Sequence, residues 1–138
     1  MASGVFDLIH PGHISYLRQA RSFGDELVVV VASDETVRRR KHEPVTPEQM
    51  RAQIVSELKS VDRAVIGGNG DMFDTVREID PDVIVLGFDQ NFDEKELEDS
   101  LRSHGLGDIR VERAKECAED LNATRRIISR IRKMGGSE

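Results

Sequence analysis

The chain has 138 residues, and 20 Lys and Arg against 26 Asp and Glu give a formal net charge of −6. This length predicts one domain, residues 1–138, large enough for a single core. The acidic balance argues against a general nucleic-acid binder, and the longest apolar run, residues 27–32, is too short to cross a membrane. The lone Cys117 excludes an intrachain disulfide, and the amino terminus carries no apolar leader, so we expect a cytoplasmic protein.

Short runs rich in Val and Ile alternate with helical patterns along the chain. Strands are predicted at residues 2–5, 27–31, 64–66, 83–86 and 109–111, with helices between and after them at residues 14–23, 46–58, 72–79, 94–104 and 123–134. Strands and helices that alternate in this way imply crossover connections. The expected fold is therefore α/β, a Rossmann-like, doubly wound, mostly parallel five-stranded sheet with helices on both faces. Ligands of such sheets bind at the carboxyl ends of the strands.

The second predicted helix begins with a capping pattern. Thr46 is the expected N-cap, Pro47 the first helical residue, and Gln49 the side chain that reaches back to complete a capping box. Arg51 follows one turn later, where it could bind a phosphate or simply pair with Glu48.

The turn between the first strand and the first helix carries the strongest functional signal. Gly12 allows a phosphate to approach the backbone closely, and the start of a helix offers free amides and the positive end of its dipole. His10 and His13 are three residues apart, so both imidazoles can face one point and donate hydrogen bonds to phosphoryl oxygens. A pair of histidines alone would more often be surface residues, but the strand, glycine and helix around them favour a phosphate site.

His10-Pro11-Gly12-His13, preceded by Gly4-Val5-Phe6-Asp7, resembles the HxGH signature of the nucleotidyltransferase superfamily. Its short members include glycerol-3-phosphate cytidylyltransferases, phosphopantetheine adenylyltransferases and archaeal FAD synthases. Gly87-Phe88-Asp89-Gln90 is similar to the family's G-x-D motif, and residues 120–126 to its second signature, although Ala123 stands where the family has Ser or Thr. Over its whole length the chain is most similar to the archaeal FAD synthases.

The resemblance implies a set of site residues. His10, His13 and Lys41 would be catalytic. The nucleotide would be bound by Val5, Phe6, His10, Pro11, Gly12, His13, Asp89, Asn122, Thr124, Arg125 and Arg126. Lys41 and the two arginines lie in basic segments, residues 36–42 and 122–138, each with a net charge of +4. No metal-binding side chains are expected, and Mg²⁺ or another divalent cation would bind mainly through the nucleotide's phosphates.

The resemblance also implies a reaction, in which an acceptor phosphate attacks the α-phosphorus of a nucleoside triphosphate and pyrophosphate leaves. ATP and FMN are the expected substrates, with FAD as product. The alternatives are a cytidylyltransferase that uses CTP and glycerol 3-phosphate, or another phosphorylated acceptor, and a catalytically silent nucleotide-binding module. The expected partners are these small molecules, with no nucleic acid and no membrane, and the resemblance implies a homodimer. Few aromatic residues are available to contact a flavin or base, chiefly Phe6, Phe88 and Phe92.

Overall fold

The computed structural model describes residues 1–40, 43–118 and 123–135, in which five strands form one sheet in the order β3-β2-β1-β4-β5. The strands are β1 Ala2–Gly4, β2 Val28–Val31, β3 Arg63–Ile66, β4 Val83–Leu86 and β5 Arg110–Arg113. The helices are α1 Pro11–Arg21, α2 Asp34–Arg40, α3 Glu48–Ser56, α4 Met72–Ile79, α5 Glu94–Ser103 and α6 Thr124–Gly135.

The predicted α/β class and five-stranded Rossmann-like sheet are confirmed, and each strand pair of this sheet is parallel. Alternate residues along a strand point to opposite faces. One core packs α1 and α3 against residues such as Val29 and Val85, and a second packs α4 and α5 against Ile84 and Leu86. No helix in the described ranges is long and apolar enough to cross a membrane.

The order in which strands are added to the sheet reverses at β1, which pairs with β2 on one side and with β4 on the other. The chain first proceeds outward from β1 through β2 to β3, then crosses back to β4 and β5. At such a reversal, the loops that follow the two neighbouring strands diverge and leave a crevice outside their carboxyl ends. The crevice therefore lies between the loop after β1 and the loop after β4.

The start of α3 differs from the prediction. Pro47 is the N-cap, without any side-chain capping bond, and the helix begins at Glu48. Thr46 is not the cap because its hydroxyl donates instead to Asp7, at 2.7 Å. The predicted pairing of Arg51 with Glu48 is also wrong, as described below.

Helix α2 was not among the predicted elements. Val37 is its one buried side chain, so its sequence lacks the apolar stripe by which an amphipathic helix is predicted. Ser33 stabilises its start, because the Ser33 hydroxyl accepts a hydrogen bond from the amide of Thr36 at 3.2 Å. The ends of most other elements lie within a few residues of their predicted positions.

A buried arginine fixes the carboxyl ends of β1 and β2. Arg51 is 1% exposed, and its guanidinium donates to the carbonyls of Val5 and Ala32, each at 2.8 Å. It also donates to the carbonyl of Thr46 at 3.0 Å and to Asp34 at 2.6 Å. One side chain thus joins both strands to the starts of α2 and α3. Arg51 therefore stabilises the fold, and its guanidinium binds protein groups and not the phosphate that the sequence suggested.

We predict that Arg51→Met destabilises the protein by about 3–5 kcal/mol, because it leaves three carbonyls and a carboxylate without their partner. Urea unfolding followed by circular dichroism measures this loss. Gln53→Met, on the exposed side of the same helix, is the matched control and should change stability by less than about 0.5 kcal/mol. Equal effects of the two substitutions would contradict the role assigned to Arg51.

Candidate active site

The turn after β1 has an unusual backbone. Phe6 and Leu8 adopt left-handed conformations, with φ of 55° and 59°, which cost non-glycine residues about 1–2 kcal/mol each. The Phe6 ring folds back over Gly4 so closely that a Cβ at Gly4 would lie 3.0 Å from it. The turn therefore depends on a glycine at position 4 and on contacts that hold the strained residues in place.

Asp7, between the two strained residues, supplies those contacts. Its buried carboxylate accepts hydrogen bonds from the amides of Val45 and Thr46, at 2.6 and 3.1 Å, and from the Thr46 hydroxyl. Its backbone carbonyl accepts from the hydroxyl of Thr124 at 2.7 Å. Asp7 thus brings the segment before α3 and the first residue of α6 to the same turn.

His10 and His13 lie together at the start of α1, with ring centroids 3.8 Å apart. Nδ1 of His10 accepts from the amide of Gly12 at 3.1 Å, and Nδ1 of His13 accepts from the amide of His10 at 3.3 Å. Because an accepting nitrogen carries no proton, each neutral ring bears its proton on Nε2. Each histidine therefore retains one N–H donor that is not used in these capping bonds.

Both histidines are neutral near pH 7. Burial lowers the pKa of His13 to about 3, with a further contribution from the adjacent His10 ring and a smaller opposing one from Asp7. Burial also lowers the pKa of His10, and the charge of Asp89 partly opposes that shift. Two imidazolium ions in stacked contact would repel each other, so the pair works as neutral hydrogen-bond donors.

The amides of the first turn of α1 already have partners within the protein. Gly12 N–H donates to the His10 ring at 3.1 Å, and His13 N–H donates to the His10 carbonyl at 3.0 Å. Pro11 has no N–H to offer. A phosphate at this position would share these amides, which retain the positive end of the helix dipole.

The loop after β4 forms the opposite wall of the crevice. Asp89 is exposed there, and its negative charge partly opposes the lowering of the His10 pKa by burial. Gln90 fixes the loop: its side-chain oxygen accepts from the Gly87 amide at 3.1 Å, and its side-chain nitrogen donates to the Ser3 carbonyl at 2.8 Å. The motif around His10 and the motif around Asp89 thus follow neighbouring strands, at the point where the strand order reverses.

The remaining predicted residues fall into three groups. Thr124 reaches the turn through Asp7, and Arg125 and Arg126 are exposed beside it on α6. Lys41 and Asn122 lie outside the described residues. The Phe6 ring is 2% exposed, beside the rings of Tyr16 and His13, so that this residue can offer a ligand its backbone alone.

Three residues that shape the site were missed or misread from the sequence. Arg51 was considered as a phosphate ligand, whereas it holds the backbone below the site. Gln90 belongs to the predicted motif, which gives it no role, and the sequence pattern does not mark Arg113, which binds the backbone of the loop after β4. Their partners are mostly backbone carbonyls, which leave no mark in the sequence.

Comparison with known proteins identifies the family of the chain. Residues 1–130 match the cytidylyltransferase-like family. The chain belongs to this family. The resemblance inferred from the motifs around His10 and Asp89 is therefore confirmed, and the chain is a nucleotidyltransferase.

Several archaeal FAD synthases are similar to this chain over most or all of their length. The FAD synthase of Aciduliprofundum boonei is 54% identical over 132 residues, covering 95% of this chain and 88% of that protein. The FAD synthase of Archaeoglobus fulgidus is 47% identical, with 99% of each chain covered. A crystal structure described as a lipopolysaccharide core biosynthesis protein from Thermoplasma volcanium has 48% identity, a TM-score of 0.82, and coverage of 85% of this chain and 95% of that one.

The low pKa of His13 predicts how stability depends on pH. In the unfolded chain this imidazole titrates near pH 6.5, whereas in the folded protein its pKa is about 3. Between these values the unfolded state binds the extra proton, so the free energy of unfolding falls as the pH falls from about 6.5 towards 3. From about pH 7.5 to 5, the natural chain should lose on the order of 1–2 kcal/mol more stability than His13→Gln.

Urea unfolding of the two proteins at both pH values measures this difference. Because His10 is present in both, its own titration contributes similarly to the two profiles. Parallel pH profiles would show that His13 is not held neutral by the fold.

Proposed function

We propose that this chain is an FAD synthase, which transfers the adenylyl group of ATP to FMN and releases pyrophosphate. The near full-length similarity to archaeal FAD synthases, 54% identity over 95% of the chain in one case, carries this proposal. The paired histidines at the start of α1 support it, since each retains an Nε2–H donor that a phosphoryl oxygen could accept.

The reaction is an in-line displacement at the α-phosphorus of ATP. A phosphate oxygen of FMN forms the new P–O bond, and the bond to the β-phosphate oxygen breaks as pyrophosphate leaves. Such a reaction requires alignment of the two phosphates and stabilisation of charge, without a covalent protein intermediate. This matches a site that offers hydrogen-bond donors and a helix dipole.

His10 and His13 are the proposed catalytic donors. Their Nδ1 atoms accept bonds from the backbone, which fixes the rings and directs the protons to Nε2. We infer that these Nε2–H groups donate to the α-phosphate oxygens as negative charge builds on them. The amides of Gly12 and His13, with the dipole of α1, would hold the same phosphates.

The other proposed contacts surround this centre. The backbone of Val5, Phe6 and Pro11 would lie against the nucleotide, and Asp89 would bind its ribose or base. Thr124, Arg125 and Arg126, at the start of α6, would bind the departing pyrophosphate. Lys41 and Asn122 belong to the same proposal on the strength of the family motifs alone.

A divalent cation, Mg²⁺ or another, is proposed to arrive with ATP as part of the substrate. No cluster of three or more His, Cys, Asp or Glu able to hold a metal ion occurs among residues 1–40, 43–118 and 123–135. Mg²⁺ commonly binds through substrate phosphates and retains several water ligands, so it needs few side chains from the protein. A cytoplasmic homodimer remains our proposal for location and assembly.

A second candidate is a cytidylyltransferase that uses CTP and glycerol 3-phosphate. The family to which residues 1–130 belong, described as cytidylyltransferase-like, is the observation that keeps it open. Both reactions would use the same histidine pair and differ in the base and in the acceptor.

We predict that His13→Ala lowers turnover with ATP and FMN by about 100-fold or more, because it removes one donor to the transition state. Pyrophosphate release and FAD formation, followed together, measure the loss. His104→Ala is the matched control, since His104 lies at the end of α5, stacked on Phe73 and away from the phosphate site. The control should retain nearly full activity.

Three results would contradict parts of the assignment. Undiminished pyrophosphate release by His13→Ala would remove the histidine pair from the mechanism. Activity of the natural chain with CTP and glycerol 3-phosphate, but none with ATP and FMN, would decide for the second candidate. Binding of ATP with no turnover of either substrate pair would favour a silent nucleotide-binding module.

A further inference from the structure

The guanidinium of Arg113, at the carboxyl end of β5, donates hydrogen bonds to several backbone carbonyls of the loop after β4. Its Nη1 donates to the carbonyls of Gly87 and Gln90, at 2.9 and 3.0 Å, and more distantly to that of Phe88, at 3.4 Å. Its Nη2 donates to the carbonyl of Phe92, and its Nε to the carboxylate of Glu94 at the start of α5. One side chain thus contacts the loop along its whole length.

The same loop is fixed independently on its other side. Gln90 bonds back to Gly87 within the loop and to the Ser3 carbonyl of β1. The loop is therefore held between β1 and the end of β5. A loop with both kinds of anchor has little freedom to change the position of the residues at its tip.

Asp89 lies in this anchored loop, and its side chain is exposed. It lies between Phe88 and Gln90, whose carbonyls both accept from Arg113, yet its own side chain remains exposed at the crevice. The neighbouring Gln90 donates to the Ser3 carbonyl of β1, the strand that leads into the turn of His10, so the loop lies beside that turn. The loop backbone is thus anchored on both sides, and the acidic side chain of Asp89 is exposed.

We propose that Arg113 is a positioning residue for nucleotide binding: it holds the loop of residues 87–92 so that Asp89 meets the nucleotide. This rests on the proposed function in one respect, the role of Asp89 as a nucleotide contact. Arg113 itself acts through the loop backbone, since its donors are occupied by carbonyls and by Glu94.

Arginine suits this task better than lysine. Its planar guanidinium offers several N–H donors in fixed directions, whereas lysine offers a compact charge on a flexible stem. The acceptors of Arg113 are spread along the loop from Gly87 to Glu94, so a lysine could satisfy only part of the set. The two residues carry the same charge, which allows the effect of geometry to be separated from that of charge.

The test compares Arg113→Gln and Arg113→Lys with the natural chain, using ATP binding by calorimetry and steady-state kinetics with ATP and FMN. We expect Arg113→Gln to raise the Kd and KM for ATP by about 10-fold or more. Arg113→Lys should lie between. Arg110→Gln, on the same strand with an exposed side chain near Glu112, is the control and should bind ATP normally.

A double-mutant cycle with Asp89→Ala separates positioning from general structural support. If Arg113 acts through Asp89, Arg113→Gln should weaken ATP binding by less than about 3-fold once Asp89 is replaced. Unchanged ATP affinity in Arg113→Gln would overturn the proposal, as would a full additional loss in the Asp89→Ala background. Failure of both Arg113 variants to fold would assign the residue to stability and overturn it as well.

The binding measurement also keeps this proposal distinct from the proposed function. If the natural chain binds ATP but forms no FAD, the FAD synthase assignment fails, while the cycle still reports on Arg113 and Asp89. If CTP binds in place of ATP, the same cycle performed with CTP tests the same contact.

Discussion

The geometry of the site depends on the buried guanidinium of Arg51, because this group joins the ends of β1 and β2 to the segment that precedes α3. Asp7 binds the same segment through Val45 and Thr46. Buried charges are costly unless their hydrogen bonds are complete, and among the described residues no buried side-chain polar atom lacks a partner. This network holds the left-handed residues of the first turn in place and so fixes the direction in which His10 enters α1.

The two histidines of the site are neutral, whereas the sequence is basic in two segments. His10 and His13 are neutral donors, whereas the cations lie in residues 36–42 and 122–138, each with a net charge of +4 in a chain whose total is −6. A neutral N–H donor forms a stronger hydrogen bond as negative charge builds on its acceptor. In the proposed reaction its contribution would therefore be larger in the transition state than in the bound substrate, which is the difference that accelerates a reaction.

The parts of the fold that could be predicted are those with a local pattern. Val83–Leu86 is a continuous apolar run and was predicted with its observed bounds, and the turn from Gly4 to His13 was recognised from its motif. The cap of α3 was misplaced because Thr46 is engaged by Asp7, 39 residues away in sequence. Such contacts depend on the tertiary fold, and backbone carbonyls, the acceptors of Arg51 and Arg113, are common to every residue. The supporting contacts of the site therefore emerged only with the structure.

The structure further limits the aromatic rings that could contact a flavin or base. The Phe6 ring is buried against Tyr16 and His13, so it cannot stack on a flavin or base. The rings of Phe88 and Phe92 are 51% and 37% exposed, on the loop that carries Asp89. Arg113 binds the carbonyls of both. The guanidinium that holds the loop of Asp89 therefore also fixes the backbone that presents these two rings.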